Sequence, residues 1–114
     1  MSGSATWRSH HCGDLRAQHA GESVRLCGWV ANRRDHGGVS FVDLRDRYGL
    51  IQLITDEDCA TEVREALLRL HPEYVIQVEG TVRLRGGNVN PDRKTGEVEV
   101  VVTSIQVLNR ADRL

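Results

Sequence analysis

Aromatic side chains are scarce in this chain: one Phe, two Trp and two Tyr among 114 residues. A protein that coats single-stranded nucleic acid without sequence choice needs several stacking rings along a positively charged groove. One Phe and a net charge of −1 argue against that class. Cysteine is sparse too. Cys12, Cys27 and Cys59 are widely spaced and form no CxxC pair, so neither a disulfide framework nor a zinc ribbon is indicated. His10, His11 and Cys12 are consecutive, but adjacent residues rarely converge on one ion and no fourth ligand is evident, so no metal site is expected. No apolar run approaches the roughly 18 residues of a membrane span, and no signal-peptide pattern opens the chain. The expected location is the cytoplasm, with no membrane partner. Neither GxxxxGK[ST] nor GxGxxG occurs. Asp35 and His36 are sequence neighbours rather than a dyad, and no catalytic residue can be singled out.

Lysine is nearly absent, one against fourteen arginines. Arginine can fork onto phosphates and base edges and stack on rings, where lysine offers a point charge. A GC-rich genome raises arginine equally well, so the count alone leaves both readings open. The charge is also uneven. Residues 55–79 hold seven acids and two bases, a balance of −5, which leaves the rest of the chain at +4.

What is present reads as one domain with ordinary globular composition, 39% hydrophobic and 27% charged. Residues 1–10 are small and polar and read as a loose tail. Residues 14–21 read as a helical turn stopped by Gly21. Strands are predicted over 24–34, with Gly28 marking a bend or bulge, and over 39–45 and 50–55, joined by the turn sequence DRYG. A helix is predicted over 58–70, capped by Asp58, with Val63, Leu67, Leu68 and Leu70 as its apolar side. Another strand covers 74–85. The loop GGNVNPDRKTG follows, and 97–109 forms a final strand or bent pair. This order gives an all-β OB-fold: a five-stranded Greek-key barrel with one α-helix between strands 3 and 4. A different small barrel or an open α+β sheet remains the alternative.

If DRYG is the turn, Phe41 faces Ile54, Asp43 faces Gln52 and Arg45 faces Leu50. Val42, Leu44, Ile51 and Leu53 then share the core face. Phe41, Asp43, Arg45 and Gln52 fall on the opposite face, toward solvent. The same alternation sends Val24, Leu26, Gly28 and Val30 to one face of the first strand. It turns Ile76, Val78, Val82 and Leu84 inward and Gln77, Glu79, Arg83 and Arg85 outward. On the last strand Val98, Val100 and Val102 point in, and Glu97 and Glu99 out. The one Phe thus lands on a polar surface, either covered by the loop around Gly86 or the helix, or serving as a base-stacking platform. Acids on that face oppose a plain phosphate groove and suggest reading of exocyclic amines.

The blocks LCGWVANRRDHGGVSFVDLRDRYGLIQL, YVIQVEGTVRLR, TGEVEV and VLNRADRL closely resemble the N-terminal anticodon-binding domain of bacterial aspartyl-tRNA synthetases. The likeness runs through nearly everything from His11 onward. It implies an OB domain at 11–109 that grips the anticodon loop of tRNA(Asp). Residues 110–114 then begin the hinge to a catalytic domain that this chain does not contain. By motif match, Phe41 stacks on the middle anticodon base, a uracil, and Gln52 bonds its edge. Glu99 contacts the third base, and Arg34 and Arg85 support the loop. Asn32 departs from relatives that carry a third arginine there, which weakens any role for that position.

The family divides into members strict for tRNA(Asp) and members that also charge tRNA(Asn). His36 and Gly87 match the relaxed group, where strict members carry a larger apolar residue and a lysine. The parent enzyme so implied is an aspartate–tRNA ligase, homodimeric, using ATP and Mg2+. The 114-residue chain itself is expected to be a non-catalytic, monomeric fragment without cofactors. Two rival readings are a free-standing OB module for single-stranded nucleic acid and a barrel that binds protein or oligosaccharide.

Overall fold

The computed structural model describes residues 7–109. Five strands close into a barrel in the order β1-β2-β3-β5-β4. They are β1 (Ser23–His36), β2 (Val39–Asp46), β3 (Gly49–Thr55), β4 (Val75–Leu84) and β5 (Val98–Asn109). One helix, α1 (Thr61–Leu68), lies between β3 and β4. This is the all-β OB-fold that the element order predicts.

β1 is long because it serves two sides of the barrel. Its first half, Ser23 to Trp29, pairs with β4, and its second half, Trp29 to His36, pairs with β2. The irregularity that lets it turn falls between Val30 and Asn32, two residues past the glycine expected to mark it. Gly28 has a different task. A Cβ built there would lie 2.4 Å from the Arg45 carbonyl oxygen, so the residue permits a close crossing of β1 over β2. Gly37 and Gly38 both have positive φ, the requirement of a two-residue hairpin turn that matches strand twist.

The β2–β3 register is the one read from DRYG: Phe41 opposite Ile54, Asp43 opposite Gln52, Arg45 opposite Leu50. The inward set Val24, Leu26, Val30, Val42, Leu44, Ile51, Leu53, Ile76, Val78, Val82, Val98, Val100 and Val102 is buried. Cys12 and Leu15, from the segment before β1, and Leu67 and Leu70 join the same core. Burial pushes the Cys12 thiol well above its usual range, and Asp46 adds to the effect. Ser9 ties the segment to β1: its backbone N–H donates to the Arg25 carbonyl, and its Oγ accepts the Arg25 N–H at 2.8 Å.

Three expectations fail at element ends. The helix is eight residues long, and Ala60, not Asp58, stands at its N-cap without a side-chain cap. Asp58 lies instead in the turn before it, its N–H donating to Asp56. Leu68 is 48% exposed, because Leu67 and Leu68 sit about 100° apart on a helix and only Leu67 meets the barrel. Leu84 is 53% exposed rather than inward. It is the last residue of β4, where the chain leaves the barrel into the short turn Gly86–Asn88.

Candidate nucleic-acid interface

One end of the β2–β3 hairpin, the ends of β1 and β4, the start of β5 and the Gly86–Asn88 turn enclose a groove of about 610 Å³. Strand alternation builds its floor. Arg34 pairs with Phe41, Phe41 with Ile54, and Arg83 with Glu99, so their side chains project on the same side of the sheet. The groove is lined by Arg34, His36, Val39, Phe41, Gln52, Ile54, Arg83, Leu84, Arg85, Gly86, Asn88 and Glu99.

The polar residues form one connected chain. Arg34 Nη1 donates to Asp43 Oδ2 at 2.9 Å and to Asn32 Oδ1 at 2.7 Å, and its Nη2 donates to Gln52 Oε1 at 3.1 Å. Gln52 Nε2 donates to Glu99 Oε1 at 2.9 Å. Glu99 Oε2 accepts from Arg83 Nε and Nη2 at 3.0 and 2.7 Å, and Arg83 reaches on to Asp56 at 3.6 Å. At the other end Arg93, from the loop 86–96, grips Asp43 with two parallel bonds of 2.8 and 3.1 Å. Burial alone would raise the Asp43 carboxyl, but the bonds from Arg93 and Arg34 outweigh it and hold the group below the usual carboxylate range.

The outward face is therefore polar without being open. Asp43 is fully buried, and Gln52, Glu99 and Arg85 are each no more than 8% exposed. The expectation that this face points to solvent is corrected on that point: its charges pair with one another, and the loop carrying Arg93 closes over Asp43. Phe41 stays half-buried. Its ring stands edge-on to His36 at 6.1 Å, with the Arg34 guanidinium 5.8 Å from its centroid. Arg85 has left the strand pattern. Its Nε donates to the Val98 carbonyl at 2.9 Å, and its buried Nη2 finds no acceptor among the described residues. Burial, then the nearby Arg93 charge, pull its pKa down from the ordinary arginine value.

Arg34, Phe41, Gln52, Arg85 and Glu99 thus meet in one groove, and His36 stands at its edge. Gly87 does not line it, although its neighbours Gly86 and Asn88 do; a side chain at Gly87 would extend into open space. Sequence reasoning missed Asn88 and Arg93. Both lie in a loop without periodicity, and Arg93 meets Asp43 from fifty residues away, a distance no local pattern reports. Elsewhere, His10, His19 and Glu22 bring potential ligand atoms within 4.8 Å of one another, but His19 Nδ1 already accepts the Arg16 backbone N–H at 2.9 Å.

These side chains can do three things for a bound base. Phe41 offers a ring face, worth about 1–3 kcal/mol per stacked base. Gln52 spends one N–H on Glu99 and one lone pair on Arg34, which leaves one donor and one acceptor for a base edge. Arg85 keeps an unused donor that is buried as the groove stands, so its guanidinium must turn outward before it can meet a carbonyl or phosphate oxygen.

The family of tRNA anticodon domains, described as an OB-fold nucleic acid binding domain, matches residues 24–108. The chain is 49% identical over 105 residues to an "Aspartate--tRNA(Asp/Asn) ligase" of Anaeromyxobacter sp. (strain K), covering 92% of this chain and 17% of that protein. It is 50% identical over 109 residues to an "Aspartate--tRNA ligase" of Streptomyces griseus, covering 95% of this chain and 18% of the relative. The chain therefore spans less than a fifth of the length of these curated relatives. Among solved structures, asparaginyl-tRNA synthetase from Pyrococcus horikoshii complexed with asparaginyl-adenylate superposes with a TM-score of 0.75 at 25% identity, covering 92% of this chain and 23% of that one.

Proposed function

We propose, from the premise that this chain belongs to the tRNA anticodon family of OB-fold nucleic acid binding domains, that its groove reads the anticodon loop of tRNA(Asp). The observation that carries this reading is the Arg34–Gln52–Glu99 hydrogen-bond chain lying beside the half-buried ring of Phe41. A stacking surface next to a fixed amide is what selective reading of an unpaired base requires. In this reading the middle base, a uracil, stacks on Phe41 and meets the free donor and acceptor of Gln52. Glu99 contacts the third base. Arg34 and Arg85 hold the loop by base and phosphate contacts.

The parent protein in this proposal is a cytoplasmic aspartate–tRNA ligase, a homodimer that joins aspartate to tRNA in two steps with ATP and Mg2+. The present chain supplies recognition and no catalytic group. His36 and Gly87, at and beside the groove edge, favour the relaxed form that accepts tRNA(Asn) as well. The relatives at 49% and 50% identity carry both kinds of name, so overall identity does not separate the two forms.

Fluorescence anisotropy with a labelled aspartate anticodon stem-loop and with poly-uridine tests the reading. The stem-loop is expected to bind at least tenfold more tightly. Equal affinity for the two would favour a free-standing single-strand binder instead, and failure to bind either would favour a barrel that takes protein or oligosaccharide.

A further inference from the structure

We infer that Arg93, a loop residue outside the groove lining, is a positioning residue that sets which way round the Gln52 amide faces the bound base. The inference rests on the anticodon reading above for its RNA readout, but its structural part stands on the hydrogen-bond chain alone.

An amide side chain presents an acceptor at one end and a donor at the other, and turning it over exchanges them. Uracil and cytosine differ in the same sense. The pairing edge of uracil offers a carbonyl acceptor beside an N–H donor, and that of cytosine offers an amino donor beside a nitrogen acceptor. A Gln free to turn over serves both bases; a Gln held one way round serves one. In this protein Gln52 is held from both ends, its Oε1 by Arg34 Nη2 and its Nε2 by Glu99 Oε1.

Arg34 can hold that position only while its guanidinium is shared. It spreads its bonds over Asp43, Asn32 and Gln52, and Asp43 tolerates a single bond from it because Arg93 supplies a two-pronged partner of its own. Asp43 is fully buried, so its charge must be matched from within the protein. Without Arg93, Arg34 becomes the cation nearest to that carboxylate, and a bidentate grip on it is the strongest geometry available. Arg34 taking that grip turns away from Gln52 Oε1, and the amide, fixed from two ends before, is then held by Glu99 alone and reverses more readily. Coupling thus passes from Arg93 through Asp43 and Arg34 to Gln52, over contacts of 2.8 to 3.1 Å.

The variants Arg93→Ala, Arg93→Gln and Arg93→Lys of the whole chain test this. Lys keeps a cation for Asp43, while Ala and Gln do not. Two readouts are taken: the NMR signals of the Gln52 side-chain amide without RNA, and the ratio of affinities for the aspartate stem-loop and for the same loop with cytosine at the middle position. Thermal unfolding confirms that each variant is folded.

In Ala and Gln variants the Gln52 amide signals are expected to shift or broaden, and the uracil-over-cytosine ratio to fall at least threefold. The Lys variant should retain most of both. Unchanged Gln52 signals in Arg93→Ala overturn the inference, as does an equal loss of affinity for both loops, which marks Arg93 as a plain phosphate contact. If the wild-type chain binds neither loop, the anticodon reading fails, and the amide signals still decide whether Arg93 orients Gln52.

Discussion

Phe41 and Asp43 are two residues apart on β2 and share one face, yet they do opposite work. Phe41 keeps part of its ring open to the groove, with His36 edge-on to it and Arg34 beside it. Phe41→Ala is therefore expected to weaken stem-loop binding by about 1–3 kcal/mol. Its thermal midpoint should shift by less than about 4 °C, the equivalent of about 1 kcal/mol in a domain of this size. Calorimetry beside the anisotropy assay separates the two effects, and an unfolded variant would make Phe41 a core residue. Asp43 is fully buried and bonded to two arginines. Asp43→Asn should cost about 2–3 kcal/mol at neutral pH, because it leaves Arg34 and Arg93 without their shared anion. Because the folded Asp43 carboxyl is held below its unfolded value, the unfolded chain takes up the proton first on acidification. The stabilisation is thus present above about pH 4 and lost as pH falls below it. Urea titrations across pH 2–6 should show that acid limb in the wild type and a flatter one in the Asn variant. The face of each residue followed from alternation. The burial of Asp43 did not, because its cover comes from Arg93 in a loop whose sequence carries no period.

Strand register was legible from the turn sequence, since DRYG fixed every pair of the β2–β3 hairpin and a two-residue period then sorted the side chains. What misled the reading were the ends of elements. Alternation assigns Leu84 to the inner face, but the barrel no longer extends over it there. Helical spacing cannot place both Leu67 and Leu68 against one surface, and the count of leucines hid that. Gly28 was visible as an anomaly in a strand, but its cause is a crossing partner, Arg45, that sequence cannot locate. Gly28→Ala puts a methyl 2.4 Å from that carbonyl oxygen, and β1 must move away from β2. The expected cost is about 1–3 kcal/mol, measurable by chemical denaturation. No loss of stability would mean that the strands cross with more room than the structure gives.

Over the molecule as a whole, charge is segregated along the chain: residues 55–79 carry −5 and the remainder +4. Around the groove Arg34, Arg83, Arg85 and Arg93 stand against Asp43, Asp56 and Glu99, four cations to three anions, a balance of +1. So small an excess suits one or two phosphate contacts and recognition of bases, not a groove that tracks a backbone. A plot of log affinity against log salt concentration should have a slope shallower than about −2. The relaxed specificity proposed from His36 and Gly87 predicts that aspartate and asparagine stem-loops differ by less than about 1.5 kcal/mol, roughly tenfold in affinity.

The central claim is that one groove, floored by Phe41, Gln52 and Glu99, receives the anticodon bases. Titrating the isotopically labelled chain with the aspartate anticodon stem-loop and following its NMR spectrum tests that claim most directly. The account predicts that the largest shifts fall on Arg34, Phe41, Gln52, Arg85 and Glu99, with the Gln52 amide moving at the same stoichiometry as the Phe41 ring. Shifts centred on the exposed side of α1 or on residues 7–19, with the groove signals unmoved, would contradict it.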